Sequence, residues 1–311
     1  MSTLETTRPA TRVISDVEAQ VLAEAEAGRR RARQLFILRS IAANIAVLIV
    51  VAIALFPIYF VLEAAFRPGN SLYTTSFQFW PDHPSLENWQ YMFTEHENVH
   101  LLLWLRNSLL VAVTTTIFSV ALCTTAAYAF SRWRFAGRNG ILTVLLAINA
   151  FPGVFGLVAL FVIFKSVGLL DTLWALIIAY TSGQLIFSTW NMKGFFDTIP
   201  VDLEEAARVD GATPTQAFFR VMLPLARPVL VVTALLGFLA GWTEYVVAQL
   251  LLFKEGNYTS MVGLINMATD YRQPWGWFAV GALVMILPIM VLFLLLQKQL
   301  QGGLLAGGVK G

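Results

Sequence analysis

His96, Glu97 and His100 stand in the order H-E-x-x-H. On a helix this spacing sets two histidines one turn apart around a zinc ion, with the glutamate as general base. The chemistry also needs a third ligand and a water-bearing site. The remaining histidine, His83, lies upstream in a Pro-flanked loop, and the motif precedes an apolar stretch instead of lying within one. Solvated loop histidines account for it better than a membrane zinc metalloprotease, which stands as the rival reading. The segment "GGLLAGGVKG" at 302–311 imitates a phosphate-binding loop. Such a loop needs Lys directly after Gly and then Ser or Thr at the start of a helix; here Val309 separates Gly308 from Lys310. The expectation is no nucleotide site, no metal and no cofactor in this chain. Cys123 is the single cysteine, which excludes an internal disulfide and a cysteine metal cluster and leaves a small buried side chain.

A third constellation is "GWTEY", Gly241 to Tyr245. Trp242 and Tyr245 offer stacking faces, and Thr243 and Glu244 offer hydrogen-bonding groups, a set that suits a sugar. Glu244 is the one ionisable residue well inside an apolar stretch, where an acid is costly and faces a cavity or a partner. Two readings stay open for it: an interhelical hydrogen bond, or the lining of a path or gate. Asn149, just before Pro152, is a further candidate for such a path.

The elements that must position these residues are membrane helices. Of 311 residues, 57% are hydrophobic and 13% charged, against roughly 25% charged in soluble domains. Residues 40–62, 107–131, 139–164, 172–192 and 273–297 contain no Asp, Glu, Lys or Arg, and 228–253 contains only Glu244. Each reaches the ~20 residues a spanning helix needs. The expected fold is therefore an all-α integral membrane protein of six transmembrane helices, with a cytoplasmic N-terminal segment at 1–39 and the membrane domain at 40–311. Lys and Arg number seven before the first span, three at 132–138, four at 193–227 and two in the tail at 298–311, against five on the other side. The positive-inside rule places both termini and the 193–227 segment in the cytoplasm. Pro152, Gly153, Gly156 and Pro288 are expected to bend spans or let helices approach closely.

Between the fourth and fifth spans, 200–227 reads as a charged helical hairpin. Asp202 with Glu205 forms a capping-box pattern, and Asp210-Gly211 ends the first helix. Thr213, Pro214 and Gln216 start the second with another capping box. A plain loop would leave the small Ala206-Ala207 face and the phenylalanines Phe218 and Phe219 unexplained.

Glu205-Ala206-Ala207, Gly211 and Val221-Met222-Leu223-Pro224 together resemble the EAA signature of ABC-importer permeases, E-A-A-x3-G-x9-I-x-L-P, with Val221 in place of Ile. The wider stretch from "GLLDT" to "GATP" looks like the carbohydrate-uptake branch. "LAGGVKG" with the six-span layout is similar to the smaller permease of maltose/maltodextrin importers. The resemblance covers about residues 40–311. It implies a type I permease fold in a prokaryotic plasma (inner) membrane, half of a translocation path, and maltose or maltodextrin as substrate. It implies that Glu204, Glu205, Ala206, Ala207, Asp210, Gly211 and Pro224 belong to a coupling helix docked on an ATP-binding subunit. The implied partners are a second, non-identical permease, two ATP-binding subunits carrying ATP and Mg, an extracytoplasmic solute-binding protein, the lipid bilayer and the sugar; nucleic acid is not among them. The tail at 298–311 is expected to be ordered by the ATP-binding subunits. The loop between the fifth and sixth spans, with Glu255, Gly256, Asn257 and Tyr258 at its polar tip, is expected to turn and thrust Tyr258 outward into a docked binding protein.

Overall fold

The computed structural model describes residues 9–69, 79–94, 99–150, 153–267 and 274–308. The elements run α1 (Pro9–Phe66), α2 (Glu87–Phe93), α3 (Leu101–Arg132), α4 (Arg138–Asn149), α5 (Leu157–Ser166), α6 (Leu173–Thr198), α7 (Asp202–Val209), α8 (Pro214–Ala217), α9 (Leu223–Leu225), α10 (Arg227–Thr243), α11 (Val246–Leu251), α12 (Ser260–Asn266) and α13 (Trp275–Gly308). The chain divides into one unit up to Phe60 and another from Val61. The first unit is helical along α1, and its large apolar side chains between Leu35 and Ile58 are exposed, as suits contact with lipid.

Among the described residues, three helices are long and apolar enough to cross a membrane: Arg33–Phe66 within α1, α3, and Trp275–Gln299 within α13. Two bent pairs raise the number to as many as five: Arg138–Asn149 with Gly153–Ser166 at 92°, and Pro214–Leu225 with Arg227–Thr243 at 79°. Six were expected from the uncharged windows. The window at 172–192 falls within α6, 26 residues long, whose centre carries Thr181, Ser182, Gly183 and Gln184. The window at 228–253 is not one helix: Glu244 is extended (ψ 136°) and divides α10 from α11. Pro288 lies inside a continuous α13, which runs on through the glycine-rich stretch to Gly308. Pro152 lies outside the described residues.

Helices in lipid gain little from hydrophobic contact with one another, so small residues that admit close backbone approach decide which pairs pack. Gly237 and Gly241, four apart on α10, serve this purpose. A Cβ on Gly241 would stand 2.6 Å from the Ala112 Cα of α3, and one on Gly237 would stand 3.1 Å from the Thr116 Cα. Gly153 and Gly156, expected to play this part, have open space around them. On its other side α10 meets α13, where the Trp242 Nε1 donates to the Met285 carbonyl at 3.0 Å. A core of Ala127, Met192, Phe196, Phe218, Met222 and Val229 gathers α3, α6, the hairpin and α10.

Candidate functional site

The first helix of the hairpin, α7, stops at Gly211, whose φ of +90° only glycine adopts freely. The Ala212 amide donates to the Ala207 carbonyl (2.9 Å) and the Gly211 amide to the Arg208 carbonyl (3.0 Å), the paired bonds of a Schellman stop. Thr213 then caps α8. Its Oγ1 accepts from the Gln216 amide (3.3 Å), its own amide donates to Gln216 Oε1 (2.9 Å), and Pro214 occupies the first turn. The other expected capping box is absent. Val201 already has helical angles (φ −65°, ψ −30°), so Asp202 falls inside α7 and no side chain caps it. Asp202, Glu204 and Glu205 instead place three acids in the first turn, where the helix dipole favours them.

One of those acids turns inward. Glu204, 7% exposed, accepts from Tyr128 Oη at 2.9 Å and from Arg132 Nε at 2.5 Å, both on α3. This corrects its placement on the docking surface, since burial against α3 removes it from a partner. Arg132 also donates through Nη2 to the Ile199 carbonyl at 2.8 Å and lies 3.8 Å from Met222 Sδ. Ser131 beside it donates to Asp197 Oδ1 of α6 at 2.6 Å.

What faces outward is a stiff, mixed surface. Glu205, Ala206, Asp210, Gly211 and Pro224 are exposed and Ala207 half-buried. Val209 is 87% and Phe219 57% exposed, two apolar side chains at the hairpin's end. Phe218 and Met222 are buried in the core beneath. A rigid helix offering alanines, two large apolar groups and acids suits docking in a protein cleft; it holds no arrangement for bond chemistry.

The "GWTEY" residues are dispersed. Trp242 is 2% exposed and stacks on Phe238 (5.5 Å, 15°), so it belongs to the helix interface and offers no face to a sugar. Its shape and its indole N–H are satisfied by α13, which sequence alone does not reveal. Glu244 accepts from Tyr180 Oη at 2.7 Å and from the Val247 amide at 2.9 Å, and its Oε2 from the Ala248 amide at 3.2 Å. It therefore joins α6 to the start of α11, as the hydrogen-bond reading of this acid expected. Tyr245 packs against the core of α5, α6 and α11. Thr243 is exposed and donates to the Leu239 carbonyl; Asn149 is exposed at the end of α4.

Between α11 and α12, Glu255–Asn257 forms a single 3₁₀ turn. Tyr258 does not project from it. Its hydroxyl donates to the Phe253 carbonyl at 3.2 Å and its ring joins the same core, because Asn107 Nδ2 holds the Gly256 and Tyr258 carbonyls at 2.9 and 3.0 Å. The exposed aromatic is Phe253, at 55%. The turn is pinned by Asp171, the one non-glycine with positive φ (59°) among the described residues. Asp171 Oδ1 accepts from the Phe253 and Lys254 amides at 3.0 Å each, and its carbonyl accepts from Asn257 Nδ2 at 2.7 Å. Burial pushes its carboxyl up, but donations from the Lys254 and Phe253 amides, then Asn257 and the Lys254 side chain, hold it below its ordinary value.

His96 and Glu97 lie outside the described residues. His100 precedes α3, with Nε2 4.0 Å from Glu255 Oε2. Sequence reasoning passed over Tyr128, Arg132, Asn107, Asp171 and Tyr180, each of which acts across a gap of more than sixty residues. Tyr128, Arg132, Asn107 and Asp171 stand at or near the ends of apolar stretches, their one local signal, whereas Tyr180 lies inside the 172–192 stretch and carries none.

Residues 121–304 match the family of binding-protein-dependent transport system inner membrane components. The maltose/maltodextrin transport system permease protein MalG of Escherichia coli (strain K12) is 40% identical over 284 residues, covering 86% of this chain and 95% of that protein. MalG of Yersinia pestis is 40% identical over 290 residues, covering 88% and 94%. The galactooligosaccharides transport system permease protein GanQ of Bacillus subtilis is 38% identical over 260 residues, covering 83% and 91%. A crystal structure of a bacterial ABC transporter involved in the import of the acidic polysaccharide alginate contains a chain that superposes with a TM-score of 0.71. That match is 22% identical and covers 95% of this chain and 99% of that one.

Proposed function

This chain belongs to the family of binding-protein-dependent transport system inner membrane components, and on that premise we propose that it imports maltose or maltodextrin through a hairpin-coupled path. It is the permease subunit of an ABC carbohydrate importer, a multi-pass protein of the bacterial inner membrane and not an enzyme. Such an importer implies a partner permease, ATPases and a binding protein.

The proposal adds the finer assignments. The chain crosses the membrane six times with both termini cytoplasmic, α6 and the broken α10–α11 segment each counting as a crossing. The hairpin docks on one of two ATP-binding subunits through Glu205, Ala206, Ala207, Asp210, Gly211 and Pro224, while the partner permease is non-identical and supplies the other half of the path. The single observation that carries this reading is the outward EAA face, held rigid by a Schellman stop and a full capping box at the only sharp turn between α7 and α8. A ligand drives a conformational change only by binding two states with different affinity, and a stiff hairpin passes such a difference to the spans. Thr243, Tyr245 and Asn149 remain the path candidates, and the Phe253–Tyr258 turn is the candidate surface for the binding protein.

The α-glucoside assignment draws support from two MalG proteins at 40% identity. The second reading, a galactooligosaccharide, draws support from GanQ at 38%. The test is uptake of labelled maltose, maltotriose and galactooligosaccharide by vesicles carrying the assembled transporter and its binding protein. Uptake of maltose and maltotriose alone is the expected result. Uptake of the galactoside alone would transfer the assignment to the second reading.

A further inference from the structure

We propose that Arg132 is the positioning residue that makes the hairpin and α3 one rigid body, so that displacement of the hairpin moves the spans instead of bending the corner after Leu225. The proposal rests on the reading of the hairpin as the surface docked by an ATP-binding subunit.

The hairpin's covalent exits are both weak points for transmitting force. On one side Ile199 is extended (ψ 122°) between α6 and α7. On the other the chain turns by 79° into α10. A push on the hairpin would be absorbed there unless a third strut existed. The strut is α3, which is joined to the hairpin by side chains alone.

Arg132 engages three elements at once: Glu204 of α7, the Ile199 carbonyl after α6, and Met222 at the end of the π turn Phe218–Met222 that follows α8. A planar guanidinium with a fixed fork of donors reaches such divergent acceptors, whereas a lysine ammonium is a single point. Tyr128, one turn earlier on α3, takes the second oxygen of Glu204. Both oxygens are thus claimed by α3, and the carboxylate cannot rotate without losing one of them. The Arg132 and Glu204 side chains are each 9% exposed, so water competes little for the pair.

The far end of the strut is equally fixed. α3 meets α10 at backbone distance where Gly241 faces Ala112. Hairpin, α3 and α10 therefore close a triangle: Arg132 at one vertex, Gly241 with Ala112 at the second, and the 79° corner at the third. A triangle with two fixed vertices leaves no free rotation at the third.

The experiment uses the assembled transporter in proteoliposomes with its binding protein. Arg132→Lys, Arg132→Gln and Tyr128→Phe are compared with the parent for ATP hydrolysis, for sugar moved per ATP, and for disulfide trapping of Ala206→Cys to cysteines in the ATP-binding subunit's cleft. The expected result is retained trapping and retained hydrolysis, with sugar per ATP falling to a small fraction for both Arg132 variants and partially for Tyr128→Phe. Wild-type sugar per ATP in Arg132→Lys and Arg132→Gln, with trapping intact, would overturn the proposal. Should the Arg132 variants fail to assemble, Tyr128→Phe decides: reduced sugar per ATP supports the strut and an unchanged ratio rejects it. Absence of trapping in the parent itself would remove the docking reading, and the proposal with it.

Discussion

Tyr180 donates its hydroxyl to Glu244 Oε2 at 2.7 Å, across from α6 to the break between α10 and α11. The same carboxylate accepts amides from Val247 and Ala248, so this acid is already committed to starting α11. Glu244→Ala should destabilise the protein by about 1.5–3 kcal/mol, the range for hydrogen bonds to charged groups, and Tyr180→Phe by about 1 kcal/mol. The two should combine less than additively because they share one bond. Thermal unfolding of the purified transporter measures this, alongside the KM for sugar. A raised KM in Glu244→Gln with unchanged thermal stability would mean that the carboxylate binds sugar.

Gly211 has φ +90° and nothing within 4 Å of where a Cβ would stand. Substitution there is penalised by backbone conformation alone. Gly211→Val should cost about 1–2 kcal/mol, the usual difference for a residue with a Cβ in the left-handed region, and Gly211→Asn less, since Asn tolerates that region. Membrane insertion should persist while sugar uptake fails in the Val variant and survives in part in the Asn variant. Equal uptake by both would separate the turn from coupling.

How far these features can be read from sequence follows their range along the chain. Gly211, Thr213, Pro214 and Gln216 declare themselves because a turn is set by three or four adjacent residues, and the structure realises that turn as read. Asp202 misleads because its pattern matches a cap while the cap position falls one residue sooner, on Val201, whose side chain has no capping group. Composition shows that 228–253 is apolar but not that Glu244 interrupts it, because the interruption is sustained by Tyr180, sixty-four residues away. Trp242 reads as a sugar platform beside an acid and a tyrosine, and its packing with Phe238, Ala112 and α13 makes it a core residue. Gly237 and Gly241 stand four residues apart, but that they face Thr116 and Ala112 depends on where α3 lies, which no local pattern states.

That spacing yields a graded prediction. A Cβ on Gly241 meets Ala112 backbone at 2.6 Å, closer than side chains can relieve, whereas one on Gly237 meets Thr116 Cα at 3.1 Å. Overpacking of this kind costs about 1–3 kcal/mol. Gly241→Ala should lower the apparent Tm more than Gly237→Ala, and Gly241→Leu should prevent a stable assembly altogether. Equal, small effects at both positions would mean that α10 and α3 move apart without cost and that the triangle with Arg132 is not rigid.

Asp171 should give the 253–258 turn a pH response. Its carboxyl lies below the ordinary value in the folded protein, so it binds its proton less readily folded than unfolded. Its contribution to stability is therefore fully present above the ordinary Asp value of about 3.9 and is lost as pH falls through the lower, folded value. Lys254 adds little, with its side chain 82% exposed; the two backbone amides of Phe253 and Lys254 supply most of the effect. Asp171→Asn keeps a side chain that tolerates φ 59° but lacks the charge. At pH 7 it should unfold at a lower temperature than wild type, and the difference between the two proteins should shrink as pH drops below about 4. Taking the difference cancels the other carboxylates, which titrate equally in both. Thermal unfolding of wild type and Asp171→Asn from pH 7 to pH 3 measures it, and a gap that stays constant across that range would show that the charge of Asp171 contributes nothing to holding the 253–258 turn.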